Sequence, residues 1–262
     1  MTAETAVRRS GPAASDVTAM GAPDAPAIVF VHGARLNRAV WMPQLHALRN
    51  EFRAIALDLP GHGARAGQRF DLDDAAEVLA ATIRDQAFGG RAVVVGLSLG
   101  GYVAMTLAAS RPELVRGLVI AGATAEPVGL VSRLFRALAA AMARFDGPRL
   151  DRLAAWFVRA RYPPAIAEPI VAAGFSSLGG ASALRTLAGQ RFAPRLAAYP
   201  GPTLILNGEL DLLFRLFVPP FAAAAHDARR VRLAGATHLA NLDRPAAFSR
   251  AVRRFAQSLG PA

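Results

Sequence analysis

The 262-residue sequence predicts an α/β fold: a doubly wound, mostly parallel sheet interrupted by an inserted helical segment. Two observations predict it. Short apolar runs rich in β-branched residues alternate with segments of helical periodicity, and the alternation stops over residues 123–199, where only helical patterns remain. A third observation bounds it: with 53% hydrophobic residues, a chain of this length supports one large core but not two independent ones.

The strands come in order. Ala27-Ile28-Val29-Phe30 reads as an early strand and Arg53-Ala54-Ile55-Ala56-Leu57 as the next, followed by a helix over residues 73–87. Ala92-Val93-Val94-Val95 is short, continuous and β-branched, the signature of a strand buried on both faces. Residues 101–110 then turn helical, with Tyr102, Val103, Met105, Thr106 and Leu107 on neighbouring turns and Pro112 just past the end. Gly117-Leu118-Val119-Ile120, Pro202-Thr203-Leu204-Ile205-Leu206 and Arg230-Val231-Arg232-Leu233 are further strands. Residues 245–259 form a closing helix, with Asp243 expected as its cap and Pro245 in its first turn.

Within the insert, Leu130, Val131, Leu134, Phe135, Leu138, Met142 and Phe145 recur at helical spacing, with Arg133, Arg136 and Arg144 off that stripe. Residues 149–160 read as a second helix carrying Leu153, Trp156 and Phe157. Pro163-Pro164 interrupts the run, and shorter helices are expected through Ile170 and Leu184. Most of these apolar residues are expected to be core, and none is assigned as a substrate contact.

Gly96-Leu97-Ser98-Leu99-Gly100 joins a buried strand to a helix. A serine between two glycines at such a turn suits a nucleophile elbow, where a strained backbone lifts the hydroxyl above the sheet. Side chains at 96 or 100 would collide with the neighbouring strand or helix. The plainer reading is a glycine-rich connection whose serine fills space, so the partners decide. A serine hydroxyl needs a base, an orienter for that base, and donors for the developing oxyanion.

The chain has five histidines. His32 and His62 sit in His-Gly pairs beside turns, and His46 and His226 in helical, partly charged surroundings. His238 stands in Gly235-Ala236-Thr237-His238-Leu239, a loop after a strand, from which it can reach a neighbouring elbow. For the acid, Asp211 in Asn207-Gly208-Glu209-Leu210-Asp211 is the choice, with Glu209 in reserve. Asp211 also suits the N-cap of a helix over residues 212–218, and the two roles are compatible. The oxyanion donors are expected to be the backbone N–H groups of Leu99, after the serine, and of Ala34, in the loop Val31-His32-Gly33-Ala34.

With His32-Gly33, Asp58-Leu59-Pro60-Gly61-His62-Gly63, the Ser98 pentapeptide, Gly208-Glu209-Leu210-Asp211 and Gly235-Ala236-Thr237-His238, the chain resembles the α/β-hydrolases. It looks most like their single-domain, cofactor-free serine esterases. The resemblance covers about residues 27–119 and 202–255 and implies a core of residues 1–122 and 200–262 with a helical cap, residues 123–199, over the elbow. Two departures are mild: Leu97 and Leu99 flank the serine where a polar residue and a methionine are common. Both are expected to make the pocket floor more apolar.

The implied chemistry is acyl transfer to water from an ester or lactone with an apolar acyl or alcohol part, without metal or organic cofactor. Ser98 is the nucleophile, His238 the base and Asp211 its orienter. Carbon–carbon bond hydrolysis, perhydrolysis and acyl transfer to an alcohol use the same triad. A ligand-binding protein on this fold has no need of all three residues. Dehalogenase chemistry is disfavoured, because that branch carries Asp where this chain has Ser98.

Composition excludes other classes. The formal charge is +11, yet all 30 basic residues are arginine and they are scattered, the densest group being Arg229, Arg230 and Arg232. No basic block with interleaved aromatics points to nucleic acid. The absence of cysteine removes disulfides and a thiol nucleophile. No apolar stretch reaches membrane-spanning length, and residues 1–15 lack a secretory pattern, so the expected location is cytoplasmic. Residues 131–144, basic and amphipathic, leave weak contact with a membrane surface open. Arg35, beside the oxyanion loop, is expected to cover surface rather than meet a carboxylate.

Overall fold

The computed structural model describes residues 16–144 and 148–260. Residues 1–15 and Phe145, both used in the sequence reading, lie outside the described residues. The chain builds a seven-stranded sheet from β1 (Val17–Met20), β2 (Ala27–Val31), β3 (Arg53–Leu57), β4 (Ala92–Leu97), β5 (Val115–Ala121), β6 (Pro202–Gly208) and β7 (Asp227–Leu233). Their order across the sheet is β1-β3-β2-β4-β5-β6-β7, with β1 antiparallel to β3 and the other pairings parallel. β1 is the one strand without a sequence expectation: its four residues are only half buried, so no apolar run marks it.

Alternation along the strands sorts the core into two layers. Val29, Ile55, Val94 and Leu118 face α2 (Leu72–Gln86) and α3 (Leu99–Ser110). Ile28, Ala54, Val93 and Val119 face α1 (Met42–Leu48) and a C-terminal helix over Pro245–Gln257. On the second face Trp41, fully buried, lies between Phe30 and Phe248, with ring centroids 5.0 and 5.7 Å away. Burying an aromatic side chain of this kind contributes about 1.5–3 kcal/mol.

Between β5 and β6 the chain forms α4 (Gly129–Arg144), α5 (Pro148–Arg161), α6 (Pro164–Ala172), α7 (Ser177–Leu187) and α8 (Ala193–Ala198). These helices straddle the sheet edge. Phe135, Ala139 and Leu184 of α4 and α7 join the core layer of α2 and α3, whereas Val158, Ala167 and Ile170 of α5 and α6 join the other. Asn37 ties the second group down, donating to the carbonyls of Ile170 at 3.3 Å and Gly174 at 2.8 Å. After β6 come α9 (Leu212–Leu216) and α10 (Val218–Ala224), two short helices where one was expected. After β7 come α11 (Ala240–Asp243) and α12 (Pro245–Gln257). Among the described residues no helix is long and apolar enough to cross a membrane.

Two local expectations are corrected. Arg244, not Asp243, stands before α12, because Asp243 ends α11 and spends its carboxylate elsewhere. His226 lies in the bend between α10 and β7 rather than in a helix.

Candidate active site

In an open parallel sheet the carboxyl ends of the strands share one edge, and ligands bind beyond it. Ser98 follows β4, Ala34 follows β2, Gly122 follows β5, Asp211 follows β6 and His238 follows β7. Ser98 adopts φ 51°, ψ −115°, a conformation that costs a non-glycine residue about 1–3 kcal/mol. Its N–H donates to Ala121 O at 2.7 Å, which fixes the turn to the neighbouring strand. A Cβ at Gly96 would strike the backbone of Gly100 and Gly101, and one at Gly100 would strike Val31 O and His32 O. The glycines therefore allow the turn, and the strained residue is the serine itself. α3 starts at Leu99, two residues earlier than expected, so the Leu99 N–H is a first-turn amide without an intrahelical acceptor.

His238 Nδ1 lies 2.9 Å from Asp211 Oδ2, and the Asp211 side chain is 7% exposed. That contact assigns the Nδ1–H to Asp211 and leaves Nε2 available as an acceptor. Asp211 occupies the N-cap position of α9 without a side-chain capping bond, so its carboxylate serves the histidine and not the helix. Glu209 points away: its Oε2 accepts the Gly235 N–H at 2.9 Å, and Arg232 lies 4.0 Å from its Oε1.

Three further groups hold this pair, and none was anticipated from the sequence. The Phe214 ring stacks on His238, with centroids 4.7 Å apart and planes inclined by 23°. Gly122, at φ 57°, lies beneath the pair; a Cβ there would sit 2.9 Å from His238 Cε1 and 3.2 Å from Asp211 Oδ2. Asp243 accepts from Thr237, from the Tyr162 hydroxyl at 2.9 Å and from Arg161 at 2.7 Å, joining the histidine loop to α5. Burial alone would raise the Asp243 pKa, but the Thr237, Tyr162 and Arg161 hydrogen bonds hold it below the ordinary carboxylate value. Burial also pushes Tyr162 up to about 12. The signal available was Thr237 and Asp243 beside the candidate base; Tyr162 comes from a distant segment.

Ser98 and His238 line one cavity of about 320 Å³, with Ala34 and Leu97 at its base and Leu134, Phe135, Leu138 and Met142 of α4 above. A second cavity of about 550 Å³ shares Ala34, Leu36, His238 and Leu239 with the first and runs under Leu153, Trp156 and Phe157 of α5. Several apolar residues of α4 and α5 expected as core thus line cavities. Leu97 reaches the first cavity as expected, whereas Leu99 is buried in the core behind it. Arg35 takes φ 64°, donates to Ser177 Oγ at 3.2 Å and lines the second cavity.

His32 and His62 shape the oxyanion loop. His32 contacts Gly33 O through Nδ1 at 2.8 Å and accepts the Leu59 N–H through Nε2 at 3.1 Å. This pattern requires a neutral ring, and burial lowers its pKa. His62 contacts Pro60 O through Nδ1 at 2.9 Å, and burial, followed by the His32 ring 5.2 Å away, lowers its pKa to about 3. Asp58 accepts the N–H groups of Arg38 and Ala64 and pairs with the Arg38 guanidinium, pinning the Asp58–Gly63 turn. Among the described residues no group of three or more His, Asp or Glu side chains could hold a metal ion.

A model of the alpha/beta hydrolase family matches residues 28–251. The chain belongs to that family. As an α/β-hydrolase it is an enzyme, and relatives of it are named as hydrolases and esterases. It is 30% identical to 2-(acetamidomethylene)succinate hydrolase of Mesorhizobium japonicum, across 88% of this chain and 87% of that protein. It is 40% identical to the pimeloyl-[acyl-carrier protein] methyl ester esterase of Nitrosomonas europaea, but the match spans only 38% of either chain. Among solved structures, E-2-(acetamidomethylene)succinate hydrolase superposes with a TM-score of 0.79 at 25% identity, covering 92% of this chain and 94% of that one. The enol-lactonase of Burkholderia xenovorans LB400 superposes at 0.75 and 24% identity, covering 92% of this chain and 95% of that one, a likeness of fold.

Proposed function

We propose that the chain is a serine hydrolase that cleaves a carboxylic ester or lactone with an apolar acyl or alcohol part through an acyl-enzyme on Ser98. One observation carries the reading: Ser98 and His238 line the same apolar cavity, and His238 turns its other nitrogen to a buried carboxylate. Residues 123–199 act as the cap that roofs this cavity.

In this mechanism Ser98 Oγ attacks the carbonyl while His238 Nε2 takes its proton. Asp211 holds the ring orientation and stabilises the imidazolium. The N–H groups of Leu99 and Ala34 stabilise the oxyanion, where charge develops in the transition state. His238 returns its proton to the departing alcohol, then activates the water that releases the acid.

Of the described residues lining the two cavities, Arg35 is the one arginine, and among the described lining of the first cavity there is no carboxylate or guanidinium. That lining favours an uncharged substrate over an acidic one such as the succinate named for the Mesorhizobium relative. Steady-state hydrolysis of a panel of aryl esters and lactones, beside 2-(acetamidomethylene)succinate, tests this. Medium-length apolar esters are expected to be the best substrates. Ser98→Ala should lower turnover by roughly four to six orders of magnitude. Wild-type turnover by folded Ser98→Ala protein would remove the assignment, and preference for the dicarboxylate would replace the substrate class.

A further inference from the structure

Leu134 and Leu138 on α4, Leu213 on α9, and Leu153, Trp156 and Phe157 on α5 do two things at once. Each lines one of the two cavities, and each is between 38% and 65% exposed. A residue that lines a cavity while facing solvent stands at its mouth, so the two cavities open through a rim of leucine and aromatic side chains. Leu130 and Leu216, farther out on α4 and α9, are exposed as well. An apolar surface this concentrated is unusual on a monomer and marks a contact site.

Among the described residues the exposed unpaired charges of α4 and α5 are arginines, with Asp151 of α5 half-buried beside them. Arg133, Arg136 and Arg144 on α4 and Arg152 on α5 are exposed and have no ion-pair partner among the described residues. α4 carries no acidic residue, whereas exposed carboxylates gather on α2, at Asp73, Asp74, Glu77 and Asp85. Leucine, tryptophan and phenylalanine bordered by arginine suit the interface of a bilayer, where the rings enter the headgroup layer and the guanidinium groups meet lipid phosphates. Two copies meeting at this face would set the same arginines against each other, which opposes a self-association role. A fluid acyl surface also needs no shape match to helices joined at an open mouth.

We propose that this rim docks on an anionic lipid surface, with the cavity mouth turned to the lipid, so that apolar esters enter from the membrane. Docking stands on the exposed rim and its arginines alone; the entry of esters rests on the serine-hydrolase reading.

The chain supplies its own reporter. It has two tryptophans, Trp41 fully buried and Trp156 at 65% exposure, so a change in emission on docking comes from Trp156. Full-length Ser98→Ala protein is titrated with vesicles of phosphatidylglycerol and phosphatidylcholine, then with phosphatidylcholine alone, and co-sedimentation is measured in parallel. Using the inactive variant keeps docking separate from turnover. The expected result is a blue shift and co-sedimentation with the anionic vesicles, both lost at 0.5 M salt or on neutral vesicles. Arg133→Gln/Arg136→Gln should weaken vesicle binding about tenfold or more, since each basic residue near such a surface contributes about fivefold. In the active background that double variant should hydrolyse a soluble short ester as the wild type does, but a long ester carried in anionic vesicles more slowly. No shift and no co-sedimentation, or binding indifferent to lipid charge, would overturn the proposal. So would a Trp156 shift that follows protein concentration without vesicles, with a dimer in sedimentation velocity, which would assign the face to a second copy.

Discussion

Asp243 holds Thr237 twice, through its backbone N–H at 2.7 Å and its hydroxyl at 2.5 Å, and Thr237 immediately precedes His238. The same carboxylate receives Arg161, the last residue of α5, and Tyr162 just after it, so the helix over the second cavity and the histidine loop share one anchor. Asp243→Ala is expected to lower kcat about 10- to 100-fold with little change in KM, the cost of a misplaced base. Asp243→Asn should recover part of that loss, because its amide oxygen still accepts one Thr237 bond. Steady-state kinetics on both variants, with a thermal melt for each, separates positioning from unfolding.

On the proposed mechanism the orienting acid is distinguished from its neighbour by position. Asp211 meets the imidazole, whereas Glu209 meets the Gly235 N–H. Asp211→Asn should reduce kcat by about four orders of magnitude, the effect of a wrong tautomer. Glu209→Gln should stay within about tenfold of wild type. Single-turnover rates on the two proteins check the contrast.

Gly122 has no room for a side chain. A methyl group there would press on His238 Cε1, and φ 57° is a strained conformation for alanine. Gly122→Ala is expected to cost about 1–2 kcal/mol of stability and about 100-fold in kcat. Urea unfolding read beside activity tests whether function falls further than the fold.

The buried histidines set an acid limit on stability. His62 in the folded chain has its pKa lowered from 6.5 to about 3, so the unfolded chain binds a proton first as pH falls. Its contribution is complete above pH 6.5 and declines below that, until the folded pKa is reached. Between pH 7.5 and pH 5 the loss is about 2 kcal/mol, and His32, lowered for the same reason, adds in the same direction. His62→Asn should flatten the fall of Tm over this range without abolishing it. Melts from pH 7.5 to pH 5 on both proteins read the slope.

The parts of the fold that announce themselves in the sequence have a local cause. β4 is buried on both faces and therefore apolar throughout, and the Ser98 turn needs glycine at 96 and 100 because strand and helix backbones touch there. β1 escaped because four half-buried residues carry no period. The pairing of Asp211 with His238 was expected from their order on successive strand ends. Their supports were not: Phe214, Gly122 and the link from Asp243 to Tyr162 arise from packing between distant segments. The helices between β5 and β6 were visible as stripes, but whether an apolar stripe seals a core or lines a cavity depends on how helices seat, which periodicity does not encode.

The most direct test of the account is the intact-protein mass during the pre-steady state, with an activated short-chain aryl ester on wild type and Ser98→Ala. The account predicts a burst of aryl alcohol of about one equivalent and a mass increase of one acyl group, mapped to Ser98 and absent from the variant. Hydrolysis without a burst or adduct, undiminished in folded Ser98→Ala, would contradict the acyl-enzyme and with it the assignment of Ser98, His238 and Asp211.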